Sequence, residues 1–268
     1  MLAFAANSVL CRLSLGAGLI DASSFTSIRL LSGALCLIVI VWLRDRSLVF
    51  GPPRWLSVLA LLVYMVGFSL AYRSLSTGTG ALILFGCVQL TMLGTARLRG
   101  ERWSALTWLG IAGAVAGLVY LLLPGAHAPV PLYAGFMVLA GLAWGTYSLV
   151  GAGGVDATRA TASNFLYATP LAIGCSLIDL DQLALTGQGI LLAIASGAIA
   201  SGIGYAIWYR VLAQIKASSA AIVQLSVPAL AAIGGVVLLA EPLSTRIVLA
   251  TLLTLGGIAL VLSQKSAI

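Results

Sequence analysis

Long apolar runs recur along almost the whole chain, and they constrain its fold more than any other feature. Each run is close to the roughly 20 residues that an α-helix needs to cross the hydrocarbon of a bilayer. Ten runs can be marked, near Leu2–Gly18, Ser24–Leu43, Trp55–Leu75, Thr79–Ala96, Ser104–Leu123, Pro131–Val150, Ala160–Asp179, Gln188–Tyr209, Ser218–Ala240 and Ser244–Ser263. The segments between them are too short for a soluble domain. The sequence therefore predicts an all-α membrane protein with ten transmembrane helices.

The composition agrees with lipid as the main surroundings. Only 8% of the 268 residues are charged and 61% are hydrophobic, whereas a soluble domain carries about 25% charged residues. The net charge of +7 comes from Lys and Arg residues that stand between apolar runs, so it forms no patch for nucleic acid. The four cysteines, Cys11, Cys36, Cys87 and Cys175, lie inside apolar runs without metal-ligand spacing. We expect no disulfide, metal or other cofactor.

Basic residues set the predicted orientation, because Lys and Arg favour cytoplasmic loops. If both chain ends lie inside, the cytoplasmic segments hold ten of the fourteen basic residues: Arg44, Arg46, Arg54, Arg97, Arg99, Arg102, Arg159, Arg210, Lys216 and Lys265. The other four lie in the half of a predicted helix away from the cytoplasm, or at that end of it: Arg12, Arg29, Arg73 and Arg246. Acidic residues nearby are Asp21, Asp179, Asp181 and Glu241. We predict a multi-pass protein of a bacterial-type inner membrane with a retained first helix and both termini in the cytoplasm.

The two halves of the chain resemble each other. A shift of 140 residues aligns Gly78–Leu123 with Ser218–Ser263 and gives nine identities in 46 positions, with Glu101 opposite Glu241. Because five helices is an odd number, the second copy enters the membrane in the opposite sense. We predict two inverted five-helix repeats, residues 1–125 and 126–268, in one membrane domain around a central cavity. Secondary transporters use such repeats to hold a substrate near the midplane; the alternative is a duplication that only builds a bundle.

Short motifs in the two halves connect the chain to a known family. The motifs are Leu98–Arg102 (LRGER), Leu238–Leu243 (LLAEPL), Phe25–Leu30 (FTSIRL) and the Tyr-x-x-Leu steps at Tyr72 and Tyr209. They resemble the paired signatures of the drug/metabolite transporter superfamily, EamA type, and are most similar to those of the YddG-like amino-acid exporters. The likeness covers the whole chain. One departure is Val88-Gln89, where the family often has proline, while the second half keeps Pro228.

The resemblance implies a secondary transporter that exports amino acids or related small metabolites by alternating access. It also implies that helices 5 and 10 lie outside a cavity formed by the other eight. The superfamily exports purines, drugs and other metabolites as well, and these remain alternative substrates. The expected partners are a small-molecule substrate and the lipid bilayer, with no nucleic acid and no soluble protein.

Polar side chains inside the apolar runs are candidates for the cavity lining, because a polar group in hydrocarbon is costly and faces the bundle interior. They are Asn7, Ser8, Arg12, Tyr72, Gln89, Tyr147, Asn164, Tyr167, Tyr205, Trp208 and Gln224. Arg12 is either the receptor for a substrate carboxylate or a structural arginine, paired with Asp21 or reaching out to the interface. Arg29 and Arg73 lie nearer the outer surface, where a structural part is favoured.

Prolines and small residues are candidates for helix bends and close contacts. Pro170 and Pro228 are expected inside helices 7 and 9, where each removes a backbone hydrogen bond and produces either a hinge or a static bend. Small residues one turn apart let helices approach closely. Such pairs are Gly113 with Gly117, Gly141 with Gly145, and Gly197 with Ser201. Glu101 and Glu241 are predicted to open helices 5 and 10, where the helix dipole favours a carboxylate.

The absence of certain motifs argues against ATP-driven transport, proton coupling and catalysis. The sequence has no GxxxxGK[ST] phosphate loop, and its acidic residues stand at or beyond the ends of predicted helices. We therefore expect facilitated diffusion or exchange. The single histidine, His127, lies in an outer loop and no GxSxG motif is present, so we do not expect an enzyme. A channel stays an alternative, although the sequence has no ring of like charges and no repeated filter loop.

Overall fold

The computed structural model describes residues 1–48, 50–125, 128–151, 156–178, 183–212, 214 and 223–265. Within these ranges the chain forms helices and loops, with one isolated β-bridge between Ile20 and Leu185. Several predictions fall on other residues: His127, Asp179, Asp181, Lys216 and the start of the ninth run at Ser218 lie outside the described residues.

Ten helices are present in the described ranges, and each coincides with one predicted apolar run. They are α1 (Leu2–Gly16), α2 (Ala22–Asp45), α3 (Trp55–Ala71), α4 (Thr77–Leu98), α5 (Ala105–Leu122), α6 (Pro131–Gly151), α7 (Ala157–Ile178), α8 (Gly187–Ile194, continued by Ala195–Ile203 and Gly204–Leu212), α9 (Ser226–Leu239) and α10 (Thr245–Lys265). Six of these, α2, α4, α5, α6, α8 and α10, are long and apolar enough to cross a membrane; α1, α3 and α9 are shorter apolar helices. The predicted helices are confirmed, and ten membrane spans stay a prediction.

Capping side chains explain where several helices begin. Five of them accept a hydrogen bond from the backbone N–H three residues later: Asp21 before α2, Ser104 before α5, Asp156 before α7, Thr186 before α8 and Ser244 before α10. Each cap satisfies a donor that the first helical turn leaves free. The prediction that Glu101 and Glu241 open helices 5 and 10 is therefore wrong, because the capping serine in each case lies three residues further on.

The main interhelical contacts join helices of the first half to helices of the second half. Helix α1 packs on α8 and α9, α2 on α7 and α8, α3 on α6 and α7, α4 on α6 and α9, and α5 on α10. Adding five to a helix number in the first half, and subtracting five in the second, converts these pairs into one another. The contact of α3 with α6 becomes that of α8 with α1, and the contact of α4 with α6 becomes that of α9 with α1.

Glycines let these helices approach closely, as the small-residue pairs predicted. A Cβ on Gly141 would lie 2.8 Å from the Leu84 carbonyl oxygen, so α6 contacts the backbone of α4 there. A Cβ on Gly197 would overlap the Arg29 carbonyl oxygen, so α8 lies directly on α2. Gly117 is equally tight against α10, whereas a Cβ on Gly113 would have no atom nearer than 3.8 Å.

The two predicted hinge prolines lie in different helical positions. Pro170 is inside α7, as predicted. Pro228 is the third residue of α9, which begins at Ser226. A proline in the first turn of a helix removes no intrahelical hydrogen bond. Residues 223–224 just before this start are also helical and Leu225 forms a turn, so a bend at Pro228 and a hinge role for either proline stay predictions.

Contacts between loops define two ends of the bundle. At one end, Asp21 N donates to Ala184 O (3.0 Å), which joins the α1–α2 turn to the α7–α8 loop. At the other end, Arg44 in the last turn of α2 bonds to Asp156, just before α7. We call these the outer and the inner end, after the predicted orientation. Because successive helices alternate in direction, α1 begins and α10 ends at the inner end.

Candidate functional site

A buried arginine lies at the centre of the bundle. Arg29, in the first half of α2, has 0% of its surface exposed. Its Nη2 donates to the Tyr64 hydroxyl (3.1 Å) and its Nε donates to Ser201 Oγ (3.3 Å). Its guanidinium carbon lies 5.0 Å from the ring centre of Phe68 and 5.5 Å from that of Tyr64. Because α2 begins at the outer end, Arg29 lies toward that end, and it is fully enclosed by the bundle.

The backbone of α8 brings its polar residues to this arginine. The segment Ala195–Ile203 has π-helical hydrogen bonding, which is rare and occurs mostly at functional sites. Gly197 permits direct contact with the backbone of α2 at Arg29, and Ser201 follows one turn later. In the same segment Ser196 Oγ donates to Asn7 Oδ1 (2.6 Å), which links α8 to α1.

Aromatic rings from five helices surround the centre. Trp144 on α6 lies 4.7 Å from Tyr64 on α3, 5.2 Å from Tyr205 on α8 and 5.3 Å from Tyr147, on which it stacks. Tyr205 forms T-shaped contacts with Phe4 on α1 (ring centres 5.7 Å apart) and with Phe165 on α7 (5.9 Å). These are the distances of favourable aromatic pairs. We call Arg29, Tyr64, Phe68, Trp144 and Tyr205 the central cluster.

The predicted central cavity is closed in this conformation. A gap of about 10 Å³ remains between α1, α3, α4, α6 and α8, and it is lined by Phe4, Asn7, Ser8, Tyr64, Phe68, Leu84, Phe85, Trp144 and Tyr205. This volume is about that needed for one water molecule. The rings pack against each other, so the predicted central cavity is only a small gap in this conformation. A substrate can enter only if side chains or helices move.

Several predicted lining residues do come together at this centre. Asn7, Ser8 and Tyr205 line the gap. Asn164 Nδ2 donates to the Tyr147 hydroxyl (3.3 Å), and the Tyr147 ring stacks on Trp144, which lines the gap. Trp208, half-buried, meets the ring of Phe4 at 6.0 Å.

The other predicted residues lie elsewhere. Gln89 is buried in α4, and its side-chain nitrogen has no hydrogen-bond partner among the described residues. Tyr167 is half-buried on α7 against the apolar core, and Gln224 is half-buried just before α9. The Tyr72 hydroxyl donates to Thr77 O (3.2 Å) at the turn between α3 and α4. None of the four lines the central gap.

Arg12 belongs to a contact that closes the outer end. Its Nε donates to Glu241 Oε1 (3.2 Å), and its Nη1 donates to the carbonyl oxygens of Tyr72 and Arg73, both at 3.3 Å. The other Glu241 oxygen accepts from Thr77 N (2.8 Å). The glutamate therefore occupies the N-terminus of α4, where the helix dipole favours a carboxylate. Neither Asp21 nor open solvent is the partner of Arg12.

An outer cavity of about 390 Å³ lies between the α1–α2 turn, α3, α6 and α7. Asp21, Arg73 and Tyr133 are among its lining residues, and Thr26 forms part of its wall. Thr26 Oγ1 donates to Ser69 Oγ (2.8 Å), and both residues are buried. Thr26 is three residues before Arg29 on α2, so this bond separates the outer cavity from the central cluster.

At the inner end, cavities of about 960 Å³ and 210 Å³ lie beside α7. The smaller one reaches Asn164. Four charged residues stand between the cavities: Arg44 bonds to Asp45 (2.7 Å) and to Asp156, and Arg159 bonds to Asp45 (2.6 Å). Burial acts to raise the pKa of Asp156, but its hydrogen bonds from Arg44 and the Arg159 backbone outweigh burial and hold that pKa below its usual value. These ion pairs tie α2 to α7.

The arrangement suits binding and passage rather than bond chemistry. The residues that the structure describes contain no group of three or more His, Cys, Asp and Glu side chains that could hold a metal ion. The five acidic residues within the described ranges, Asp21, Asp45, Glu101, Asp156 and Glu241, stand at helix ends or in loops, as predicted. The centre offers one fixed positive charge, several hydroxyl and amide groups, and flat apolar rings.

Sequence reasoning missed Arg29, Tyr64, Phe68, Trp144 and Ser201 as site residues. A signal for Arg29 was present. It lies on the stripe of buried residues that runs along α2 through Phe25, Gly33 and Leu37 at intervals of four residues. A charged residue on a packed stripe must face the bundle, whatever its depth in the membrane.

Three comparisons relate this chain to known proteins. A family model described as the EamA-like transporter family matches residues 132–263. The chain is 51% identical over 265 residues to the uncharacterized protein PA1977 of Pseudomonas aeruginosa, covering 99% of this chain and 92% of that protein. It also has the fold of a protein whose crystal structure is known and which is 22% identical, with a TM-score of 0.69 over 97% of this chain and 94% of the other.

Proposed function

The chain belongs to the EamA-like transporter family, and we propose that it is a secondary transporter that exports amino acids or related small metabolites across the inner membrane by alternating access. Members of this family are multi-pass membrane transporters of small metabolites and not enzymes. The substrate class, the direction and the closeness to the YddG-like exporters are part of the proposal. So are the ten spans, the two inverted repeats and the cytoplasmic termini.

One observation carries the proposal: cavities enter the bundle from both ends and are separated by a closed polar centre. The outer cavity ends at the Thr26–Ser69 bond, and the smaller inner cavity ends at Asn164, which bonds to Tyr147 beside Trp144. A carrier needs such a centre, reachable from each side in turn and never from both. A channel needs a continuous path, so the closed centre favours a carrier.

The pattern of helix contacts supports two equivalent halves. The α2–α7, α4–α9 and α5–α10 contacts join helices five apart, and the remaining main contacts occur in pairs related by a shift of five. Each of the central residues Arg29, Trp144 and Tyr205 comes from a helix other than α5 and α10. This agrees with the expectation that these two helices stand outside the cavity-forming eight.

The proposal is tested by solute flux in liposomes that contain the purified full-length chain. A panel of amino acids, purines and sugar phosphates is presented outside, with and without the same unlabelled solute inside. A carrier gives saturable uptake that the internal solute accelerates. Uptake that never saturates would identify a channel, and no uptake of any solute above empty liposomes would refute the proposal.

The same liposomes test the energy source. No acidic residue lies mid-helix in the described part of the chain, so we propose facilitated diffusion or exchange rather than proton coupling. Uptake should then proceed with equal pH on both sides. A strict requirement for a pH gradient would contradict this mechanism while leaving the carrier intact.

A further inference from the structure

Arg29 is a buried charge without a charged partner. It forms no ion pair with any described residue, and the five described carboxylates lie at the two ends of the bundle. An arginine cannot lose its proton in a protein. A full positive charge in a low-dielectric interior is costly unless it is paired. Two hydroxyl groups and two ring faces compensate only part of that cost, since none of them carries a negative charge.

One donor group of this arginine is also unused. Arg29 Nη1 is buried and has no hydrogen-bond partner among the described residues. Buried donors without a partner are rare and costly in native proteins, and each calls for an explanation. A carboxylate suits this position, because its two oxygens accept parallel hydrogen bonds from a guanidinium group.

The side chains around Arg29 indicate what the part of a ligand beyond its carboxylate should be. The rings of Tyr64 and Phe68 lie against the guanidinium and also line the central gap, together with Trp144 and Tyr205. Such rings bind flat apolar groups by offset or edge contacts. The hydroxyl and amide groups at the gap come from Ser8 and Asn7 and are uncharged. No described carboxylate stands there to receive an ammonium group.

We propose that Arg29 receives the carboxylate of the transported substrate, and that the site selects small aromatic or apolar carboxylates without a positive charge over zwitterionic amino acids. The proposal rests on the transport function proposed above, because the gap must widen to admit a ligand. Its basis is charge balance. An anion leaves the buried centre neutral, whereas a zwitterion leaves the positive charge of Arg29 uncompensated overall and also requires desolvation of its ammonium group.

Three ligands with the same phenylethyl body separate these possibilities: 3-phenylpropanoate carries only a carboxylate, phenylalanine adds an ammonium group, and 2-phenylethylamine carries only the ammonium group. Binding of labelled 3-phenylpropanoate to the purified full-length chain in detergent at neutral pH is measured directly, and the other two serve as competitors. We expect phenylalanine to compete at least about ten-fold more weakly than unlabelled 3-phenylpropanoate, equal to about 1.4 kcal/mol, and the amine not to compete.

Variants test the role of Arg29. Arg29→Gln should weaken binding of 3-phenylpropanoate about 10- to 100-fold, the range for a lost charge-assisted hydrogen bond. Arg29→Lys should keep part of the affinity, because it keeps the charge and loses the two-pronged geometry. Arg99→Gln, which removes an exposed arginine just after α4, is the matched control and should bind as the wild type does.

The results that would overturn the inference about Arg29 are clear. Competition by phenylalanine equal to that of the acid, no binding of the acid to wild type, or wild-type binding by Arg29→Gln would each overturn the inference. If Arg29→Gln does not purify as a single species, the three-ligand series on wild type still decides. Phenylalanine counterflow without binding of the acid would overturn the inference and leave the transport function standing. Binding of the acid with no flux of any solute would refute the transport function and leave the anion preference of the Arg29 site standing.

Discussion

At the scale of single residues, the Tyr64 hydroxyl does most to keep Arg29 inside the bundle. It accepts a hydrogen bond from Nη2 at 3.1 Å, and the same ring presents its face to the guanidinium. A hydroxyl group is a weaker partner than a carboxylate. The centre therefore holds the arginine in position without neutralising it, which leaves the charge available to a ligand.

Removing that hydroxyl should destabilise the protein through Arg29. Tyr64→Phe leaves a second buried donor without a partner, and we expect a loss of about 1–3 kcal/mol in unfolding free energy. Thermal unfolding of the purified protein in detergent measures it. Tyr120→Phe, on the surface of α5, is the matched control and should change stability by less than about 0.5 kcal/mol.

A double variant can separate the loss of the hydrogen bond to Arg29 from a general loss of packing at Tyr64. In an Arg29→Gln background, Tyr64→Phe should cost clearly less than in the wild type, because the unpaired charge is gone. Equal costs in the two backgrounds would show that the hydroxyl acts independently of the arginine and would contradict this account of the centre.

Polarity alone identified part of the centre from the sequence. Asn7, Ser8, Tyr147, Asn164 and Tyr205 were recognisable because a polar group in an apolar run must face inward. The expected depth of Arg29, nearer the outer end of α2, agrees with the structure, but depth alone does not show that its side chain faces the bundle interior. The sequence leaves Arg12 between a substrate role and a structural role, because its partner, Glu241, is 229 residues away along the chain and no local pattern predicts such a pair.

At the scale of elements, the irregular helix α8 places polar groups next to Arg29. Its π-helical part, Ala195–Ile203, widens the helix where it meets α2. Gly197 permits the contact, and Ser201 then bonds to Arg29. A side chain at position 197 would hold the two helices apart and move Ser201 away from the arginine.

Two glycine substitutions should therefore have opposite effects on stability. Gly197→Ala places a Cβ onto the Arg29 carbonyl oxygen and should cost about 1–3 kcal/mol. Gly174→Ala, on α7, meets no atom within 4 Å and should stabilise by up to about 1 kcal/mol, because alanine favours a helix. Melting temperatures in detergent compare the two. Equal shifts would contradict the close contact between α8 and α2.

The positions of the helices were predictable because each depends on a local property, the length of an apolar run. Every predicted run coincides with a helix within the described ranges. The π-helical part of α8 was not predictable, since it depends on packing against α2. The position of Glu241 at the start of α4 was missed for the same reason, because its sequence neighbour is α10.

At the scale of the whole molecule, each end of the bundle has its own closing contact. The outer end is held by Arg12, Glu241 and the first turn of α4. The inner end is held by the ion pairs of Arg44 and Arg159 with Asp45 and Asp156. Contacts on opposite sides of a closed centre are what alternating access requires, because one must open while the other holds.

The orientation of the bundle gives a separate prediction. The start of α1 and the end of α10 lie at the inner end, and the bias of Lys and Arg predicts that this end faces the cytoplasm. Reporter proteins fused to the N-terminus and to the C-terminus should both be active in the cytoplasm, while a tag inserted after Gly18 in the α1–α2 turn should be accessible from outside. Reporters on opposite sides would contradict the ten-span arrangement.

The central claim is that one buried centre opens to the two sides in turn. The most direct test is the labelling rate of Ser8→Cys, in a chain without its four native cysteines, by a membrane-impermeant thiol reagent in right-side-out and inside-out vesicles. The account predicts labelling from both sides. It also predicts that Glu241→Gln, which weakens the outer contact, raises the rate from outside and lowers the rate from inside. Rates that rise together, or labelling from one side only, would contradict it.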